Sequence, residues 1–281
     1  MKVGIIGYGF VGRALHSSFK ENVTTQIVDP KLNKKLDNLK SFKPNIVFIS
    51  VPTPMKKDST QDISILRKVL KDLSKLKLSS LIVLKSTILP SNLIKVKKIM
   101  PKLILNPEFL RERYASEDFI SSEMILFGGK LNNTKKLEDF YRKHTKCKCE
   151  DYVHTDLISS SLVKYTINTF LATKVIFFNE IFNVFNKSGT KINWSSFIKI
   201  LEKDSRMGKS HMMVPGPDNR LGFGGACFPK DITALINYSI ELNEKLSLLE
   251  KTVQINNQIR GKYKNKTLRE VEQNISFNKK R

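Results

Sequence analysis

The chain has 281 residues, 40% of them hydrophobic, and 49 Lys and Arg stand against 26 Asp and Glu for a formal net charge of +23. It is long enough for one or two domains with a sizeable core, and its apolar runs stop short of membrane-spanning length, which excludes a helical membrane protein and leaves a soluble one as the expectation. Three cysteines exclude a disulfide-built scaffold and favour a reducing, cytoplasmic setting.

The charge raises the question of nucleic acid. Lysine outnumbers arginine 39 to 10, however, and is spread over nearly every expected helix rather than clustered. No nucleic-acid-binding module is recognisable, so no such partner is expected. A diffuse positive field suits the capture of an anionic small molecule.

The N-terminus opens directly on an apolar strand, Lys2 to Ile6, without the basic region, spacer and cleavage site of a signal peptide. Gly7-Tyr8-Gly9-Phe10-Val11-Gly12 follows, then a helical pattern through Phe19. Strand, glycine turn and helix in this order form the dinucleotide fingerprint, in which Gly7 makes the turn, Gly9 admits the pyrophosphate and Gly12 lets helix and strand pack closely. A second strand, Thr25 to Val28, ends in Asp29, 17 residues beyond Gly12. A carboxylate there bonds the ribose hydroxyls and repels a 2′-phosphate, so NAD is expected rather than NADP.

Asn45 to Val51 reads as a buried strand ending at Pro52-Thr53-Pro54, Ile63 to Leu76 as an amphipathic helix, and Leu81 to Leu84 as a strand ending in Lys85-Ser86-Thr87 before Pro90. The repeated alternation predicts an α/β fold, a Rossmann-like, doubly wound parallel sheet. Thr53, Ser86 and Thr87 fall at the carboxyl ends of its strands, where such sheets bind ligands. Leu103 to Leu105 leads into Asn106-Pro107-Glu108-Phe109-Leu110-Arg111-Glu112, where Glu108 and Glu112 are four apart and share a face if the segment is helical. Glu123 to Phe127 is a strand, Thr134 to Lys143 a surface helix, and Cys147-x-Cys149 an exposed segment with too few ligands near it for a metal. Tyr152-Val153 begins the last strand, which closes a first domain at residues 1–154.

From Asp156 to about Lys187 runs one helix without proline, about 45 Å long at 1.5 Å per residue; it carries Lys164 and Asn168 four apart. With Asn193 to Lys203 and the helical patterns from Asp231 to Asn243 and Leu246 to Tyr263, it predicts an all-helical second domain at 155–263 with a long connecting helix. Between them lies a long loop with Arg206-Met207-Gly208 and Pro215-Gly216-Pro217-Asp218. Residues 264–281 read as a charged tail, frayed at Lys279-Lys280-Arg281.

The loop delivers Gly222-Phe223-Gly224-Gly225-Ala226-Cys227-Phe228-Pro229-Lys230-Asp231. The glycines let the backbone approach a ligand, and Pro229 suits the first turn of a helix. A thiol at that helix start sees the positive end of the helix dipole with Lys230 close by, and both favour thiolate below the ordinary pKa of about 8.5.

Gly224-Gly225-Ala226-Cys227-Phe228-Pro229-Lys230-Asp231 resembles the active-site signature of the nucleotide-sugar dehydrogenases, the UDP-glucose/GDP-mannose dehydrogenase family. Pro52-Thr53-Pro54, Ser86-Thr87, Pro107 to Glu112, and Lys164 to Asn168 with Asn179-Glu180 match further motifs of that family, and the likeness runs from residue 1 to about 260. It implies NAD as cofactor and a nucleotide sugar as substrate, with UDP-glucose the first choice. Cys227 is implied as the nucleophile of a two-hydride oxidation, with Lys164 and Asn168 stabilising its oxyanion, Asp231 as base and Glu108 handling protons through water. Thr53, Ser86, Thr87, Glu112 and Lys230 are implied around the cofactor, and Phe109, Leu110, Arg111, Phe223, Gly224 and Gly225 around the sugar. Arg206 is implied to reach the substrate of a second subunit in a homodimer built on the central helices. Family members continue into a third domain that holds the nucleotide, and the sequence reads as a short form without it. Two alternatives stay open: a single-step alcohol or hydroxyacid dehydrogenase, which needs no cysteine, and a non-catalytic NAD-binding dimer.

Overall fold

Strands buried on both faces must be apolar along their whole length, and the strands at Ile46–Ile49, Leu81–Leu84 and Ile104–Leu105 are. A computed structural model describes residues 1–277. The chain divides into two units, Met1–Thr53 with Gln61–Lys164, and Pro54–Thr60 with the residues from Tyr165 onward.

The first unit alternates β1 (Lys2–Ile6), α1 (Phe10–Ser17), β2 (Thr24–Val28), α2 (Asn38–Phe42), β3 (Ile46–Ile49), α3 (Ser64–Lys75), β4 (Leu81–Leu84), α4 (Pro90–Lys97), β5 (Ile104–Leu105), α5 (Ala115–Ile120), β6 (Met124–Gly128), α6 (Leu131–His144) and β7 (Asp151–Thr155). The strands form one sheet in the order β2-β1-β3-β4-β5-β6-β7. Neighbours pair in parallel, except that β5 meets β6 antiparallel at Leu105 and Gly128. Side chains alternate across the sheet. Val3, Ile5, Phe48, Val83 and Phe127 join the core under α1 and α6, while Ile6, Val47, Ile49, Ile82 and Leu84 join the core under α3 and α4. The doubly wound expectation is met, with one antiparallel junction that the alternation of strands and helices does not encode. Pro90 is the first residue of α4, where its missing N–H costs nothing.

α7 (Leu157–Lys187) has 31 residues, as its uninterrupted pattern predicts, and the division between units falls within it. The second unit adds α8 (Trp194–Leu201), α9 (Phe228–Glu241), α10 (Ser247–Arg260) and α11 (Leu268–Glu272). Ala172 and Ile176 of α7 pack with Phe223, with Ile232 and Ile236 of α9, and with Val253 and Ile259 of α10. A second cluster gathers Phe178, Trp194, Ile198, Met212 and Val214.

The stretch from 264 to 277 departs from the expected charged tail. Thr267 and Glu270 form a reciprocal capping box that starts α11, Ile275 is buried, and Asn274 Nδ2 donates to the Met55 carbonyl. The lysine-rich composition around Thr267-Leu268-Arg269-Glu270 hid that signature. Lys279-Lys280-Arg281, expected to fray, lie outside the described residues.

Candidate active site

β1 ends in the glycine turn, at the edge between β1 and β3 where the strand order reverses; ligands of open α/β sheets bind at such points. Gly7 has φ +88°, and a Cβ there would meet the Ser50 carbonyl oxygen at 2.6 Å. A Cβ on Gly12 would lie 2.3 Å from the Gly7 oxygen, so only glycine brings α1 this close to the turn. Beyond Gly9 nothing lies within 4 Å, which leaves room for a phosphate at the α1 N-terminus. Asp29 directly follows β2 and accepts from the Tyr8 N–H at 2.6 Å through Oδ2 and from the Lys31 N–H at 2.8 Å through Oδ1. Turn, open approach and carboxylate together fit a dinucleotide of the NAD type. Phe10 and Val11 open α1.

Thr53 and Ser86, which follow β3 and β4, are buried. Their hydroxyls lace the strand ends together: Thr53 Oγ1 donates to the Thr87 carbonyl at 2.8 Å and Ser86 Oγ to the Val51 carbonyl at 2.6 Å. Gln61, which sequence reasoning passed over, also donates to the Thr87 carbonyl at 3.0 Å.

Two buried lysines clamp the turn Asn106-Pro107-Glu108. Lys164 Nζ donates to the Glu108 carbonyl and lies 3.3 Å from Glu108 Oε1, over the Phe109 ring. Glu108 Oε2 accepts from the Leu110 N–H at 2.7 Å, which fixes its rotamer. On the other side Lys85 Nζ donates to Asn106 Oδ1 at 2.9 Å, and the Tyr141 hydroxyl donates to the same oxygen at 2.5 Å. Burial pulls the Lys85 pKa down from 10.5 to about 8, and only partly do the Glu108 carboxylate and Cys147 oppose it, with Lys164 adding to the fall. Burial likewise pushes the Tyr141 phenol well above its ordinary value. Arg111 is engaged elsewhere, in a two-pronged pair with Asp118 (2.6 and 3.0 Å) and against the Tyr114 ring. Glu112 opens a 3-10 turn and is exposed.

In the second unit Cys227 is the N-cap residue of α9, half-buried, with Pro229 in the first turn. Asp231 is 1% exposed; its Oδ2 accepts from Asn168 Nδ2 at 2.7 Å and its Oδ1 takes the Lys230 ammonium. Lys230, expected near the cofactor, is thus placed on Asp231. The backbone before the cysteine is held by side chains from far along the chain. Asn179 Oδ1 accepts from the Gly222 N–H at 2.9 Å. Asn256 pairs with both backbone groups of Phe223, accepting its N–H at 2.8 Å and donating to its carbonyl at 3.0 Å. Arg260 packs on Gly224 so closely that a Cβ there would lie 1.4 Å from Nη2. Glu270 Oε1 accepts from the Gly225 N–H at 3.4 Å. Only Asn179 had a sequence signal, its place in a family motif; the long-range roles of Asn256, Arg260 and Glu270 had none. Arg206 lies on a 3-10 turn, highly exposed and paired with Asp204. Among the described residues no group of three or more His, Cys, Asp and Glu could hold a metal ion.

Residues 18–145 match the NAD binding domain of the UDP-glucose/GDP-mannose dehydrogenase family, and residues 158–258 match its central domain. A UDP-glucose 6-dehydrogenase of Rickettsia bellii (strain RML369-C) is 38% identical over 213 residues, 72% of this chain and 46% of that protein. The chain therefore spans about half the length of the curated relatives it matches. Among solved structures, a UDP-glucose dehydrogenase from Pyrobaculum islandicum superposes with a TM-score of 0.70 at 23% identity, over 92% of this chain and 68% of that one. A Mycobacterium tuberculosis 3-hydroxyisobutyrate dehydrogenase gives 0.71 at 14% identity, over 93% and 94%; at these identities the likeness shows the fold alone.

Proposed function

Because this chain belongs to the UDP-glucose/GDP-mannose dehydrogenase family, we propose that it oxidises the C6 alcohol of a nucleotide sugar, UDP-glucose first, to the uronate with NAD. The observation that carries the reading is Cys227 at the start of a 14-residue helix, behind a glycine segment pinned by Asn179 and Asn256, with Asp231 held by Asn168 one turn on. A helix N-terminus stabilises a thiolate there.

Gly7, Gly9, Gly12, Asp29 and the Thr53 and Ser86-Thr87 strand ends are the residues to hold NAD. Bound there, NAD supplies the hydride acceptor, and carrying a primary alcohol to a carboxylate takes two hydrides and one water. The rest falls to side chains. Asp231, with Lys164 and a bound water, takes the hydroxyl proton; both Asp231 oxygens already accept bonds, which favours relay through water. Cys227 adds to the aldehyde carbonyl as a thiolate to form a thiohemiacetal, whose oxidised form is a thioester. Lys164 and Asn168 donate to the oxyanion at that carbon. Glu108, with its rotamer fixed by Leu110, orients the water that releases the acid. The backbone of Phe109 to Glu112 and of Phe223 to Gly225 frames cofactor and sugar.

The protein is proposed to act as a homodimer in the cytoplasm. In support, α7 exposes Phe170 (64%), Phe177 (52%) and Val184 (65%), seven apart and therefore on one helix face. Arg206, exposed and on a separate turn, is the side chain to serve the partner's substrate. Light scattering on the wild type and on Phe177→Glu tests this, with a dimer and a monomer expected; a monomeric wild type contradicts it. Among the described residues no helix is long and apolar enough to cross a membrane.

Incubation with NAD and a panel of UDP- and GDP-sugars, counting NADH per product, tests the reaction. Two NADH per uronate are expected. One NADH per product, ending at an aldehyde or ketone, places the chain with single-step dehydrogenases. NAD binding without turnover on any sugar makes it a binding protein.

A further inference from the structure

We infer that the segment Thr267–Ile275 is a latch on the loop that delivers Cys227, with Glu270 as a positioning residue acting on that loop through Arg260 and the Gly225 backbone.

Glu270 belongs to a five-residue helix and is 1% exposed, although it is a carboxylate in a lysine-rich surface segment. A buried charge persists only where partners satisfy it. Its Oε1 accepts from Arg260 Nη2 at 3.1 Å and from the Gly225 N–H, and its Oε2 accepts from the Thr267 N–H at 2.8 Å. Arg260, itself 2% exposed, holds the loop at two further points: Nη2 donates to Asp218 Oδ2 at 2.6 Å and Nη1 reaches the Leu221 carbonyl at 3.5 Å. Arg260 and Glu270 thus join positions 218, 221 and 225 into one unit, two residues short of the nucleophile.

The flanks of the segment grip independently. Before α11, the Asn265 carbonyl accepts from Arg220 Nη1 at 2.7 Å and the Tyr263 hydroxyl accepts from the Leu221 N–H at 2.9 Å. After it, Asn274 donates to the Met55 carbonyl at 2.9 Å. A short helix with an ordinary surface role needs none of these bonds. Removing the Glu270 carboxylate leaves a buried guanidinium and the Gly225 N–H short of a partner, so the loop, rather than α9, is what loosens.

The test is hydrogen exchange and Cys227 alkylation on the full chain carrying Glu270→Ala or Glu270→Gln. In Glu270→Ala, exchange across residues 218–226 is expected to rise at least ~10-fold, with β1 to β4 unchanged. Iodoacetamide should label Cys227 several-fold faster with the same pH midpoint, because the α9 N-terminus stays in place. Glu270→Gln keeps an acceptor without the charge and should fall between; it also carries the test if Glu270→Ala does not fold. Wild-type exchange across 218–226 in both variants overturns the latch, as does a rise shared equally by the sheet. A fall in kcat with unchanged KM for NAD is expected as well. That last readout rests on Cys227 being the nucleophile, whereas exchange and alkylation do not, so the latch and the proposed reaction can fail separately.

Discussion

The glycine turn after β1 and the glycine segment before α9 are both proposed ligand-binding loops, yet they are built differently. The first is built within its own sheet: Gly7 donates to the Val28 carbonyl, Gly12 lies close to the Gly7 oxygen, and the side chains of Ser50 and Asp29, just past β3 and β2, bond the Gly7 carbonyl and the Tyr8 N–H. Every element it needs lies within the β1-α1-β2-β3 unit. The second is suspended from side chains on α7, α10 and α11, up to 45 residues away in sequence. A loop made within its own sheet is damaged by filling its glycines or by changing side chains beside it in that sheet. A loop hung on side chains can be adjusted, or lost, by distant substitutions.

The largest expected effect tests the first half of this contrast. Gly12→Val drives a Cβ into the Gly7 carbonyl, and NAD affinity should fall by ~10³ or more, roughly 4 kcal/mol, while Cys227 alkylation stays at the wild-type rate. Isothermal titration and labelling kinetics on the same protein check both; a parallel loss of Cys227 reactivity contradicts the separation.

Lys85 sharpens the contrast, because it is a buried side chain supporting a loop in the first unit. Its folded pKa of about 8 lies below the value of 10.5 it has when exposed. The folded state therefore binds fewer protons between those values, and its stability rises with pH across that window. The contribution is present above pH 10.5 and lost as pH falls through 8, for about 3 kcal/mol in all. Denaturant titrations of wild type and Lys85→Met from pH 7 to 10.5 should show the wild type gaining on the variant; a constant difference contradicts the sign.

Asn256→Ala breaks the second loop. It leaves the N–H and carbonyl of buried Phe223 unpaired, at a cost of about 2 kcal/mol. Turnover should drop roughly 10-fold or more on the same energy scale, with NAD affinity unchanged. If NAD affinity falls in step with turnover, the two loops are not independent.

The same contrast explains what the sequence made legible. Strand-helix alternation, the fingerprint and the unbroken pattern of α7 are local, and each was readable in place. The residues Cys227, Asp231, Asn168, Lys164 and Glu108 were marked by motif, and the structure brings Asn168 to Asp231 and Lys164 to Glu108. Arg111 and Arg206 each pair with a nearby aspartate, Asp118 and Asp204. Asn256, Arg260 and Glu270 were illegible because an amide or a guanidinium on a helix has no mark that separates a surface contact from a clamp on backbone far away in the chain. α11 was missed because charge outweighed a four-residue capping signal.

In the proposed reaction Cys227 carries the substrate during oxidation. Wild-type protein turning over UDP-glucose and NAD would be quenched in acid and its intact mass measured, followed by peptide mapping. A glycosyl-acyl adduct confined to Cys227 is expected, absent from Cys227→Ser, which in turn forms no uronate at the wild-type rate. Two NADH per uronate from Cys227→Ser at that rate, with no adduct on the wild-type cysteine, would contradict it.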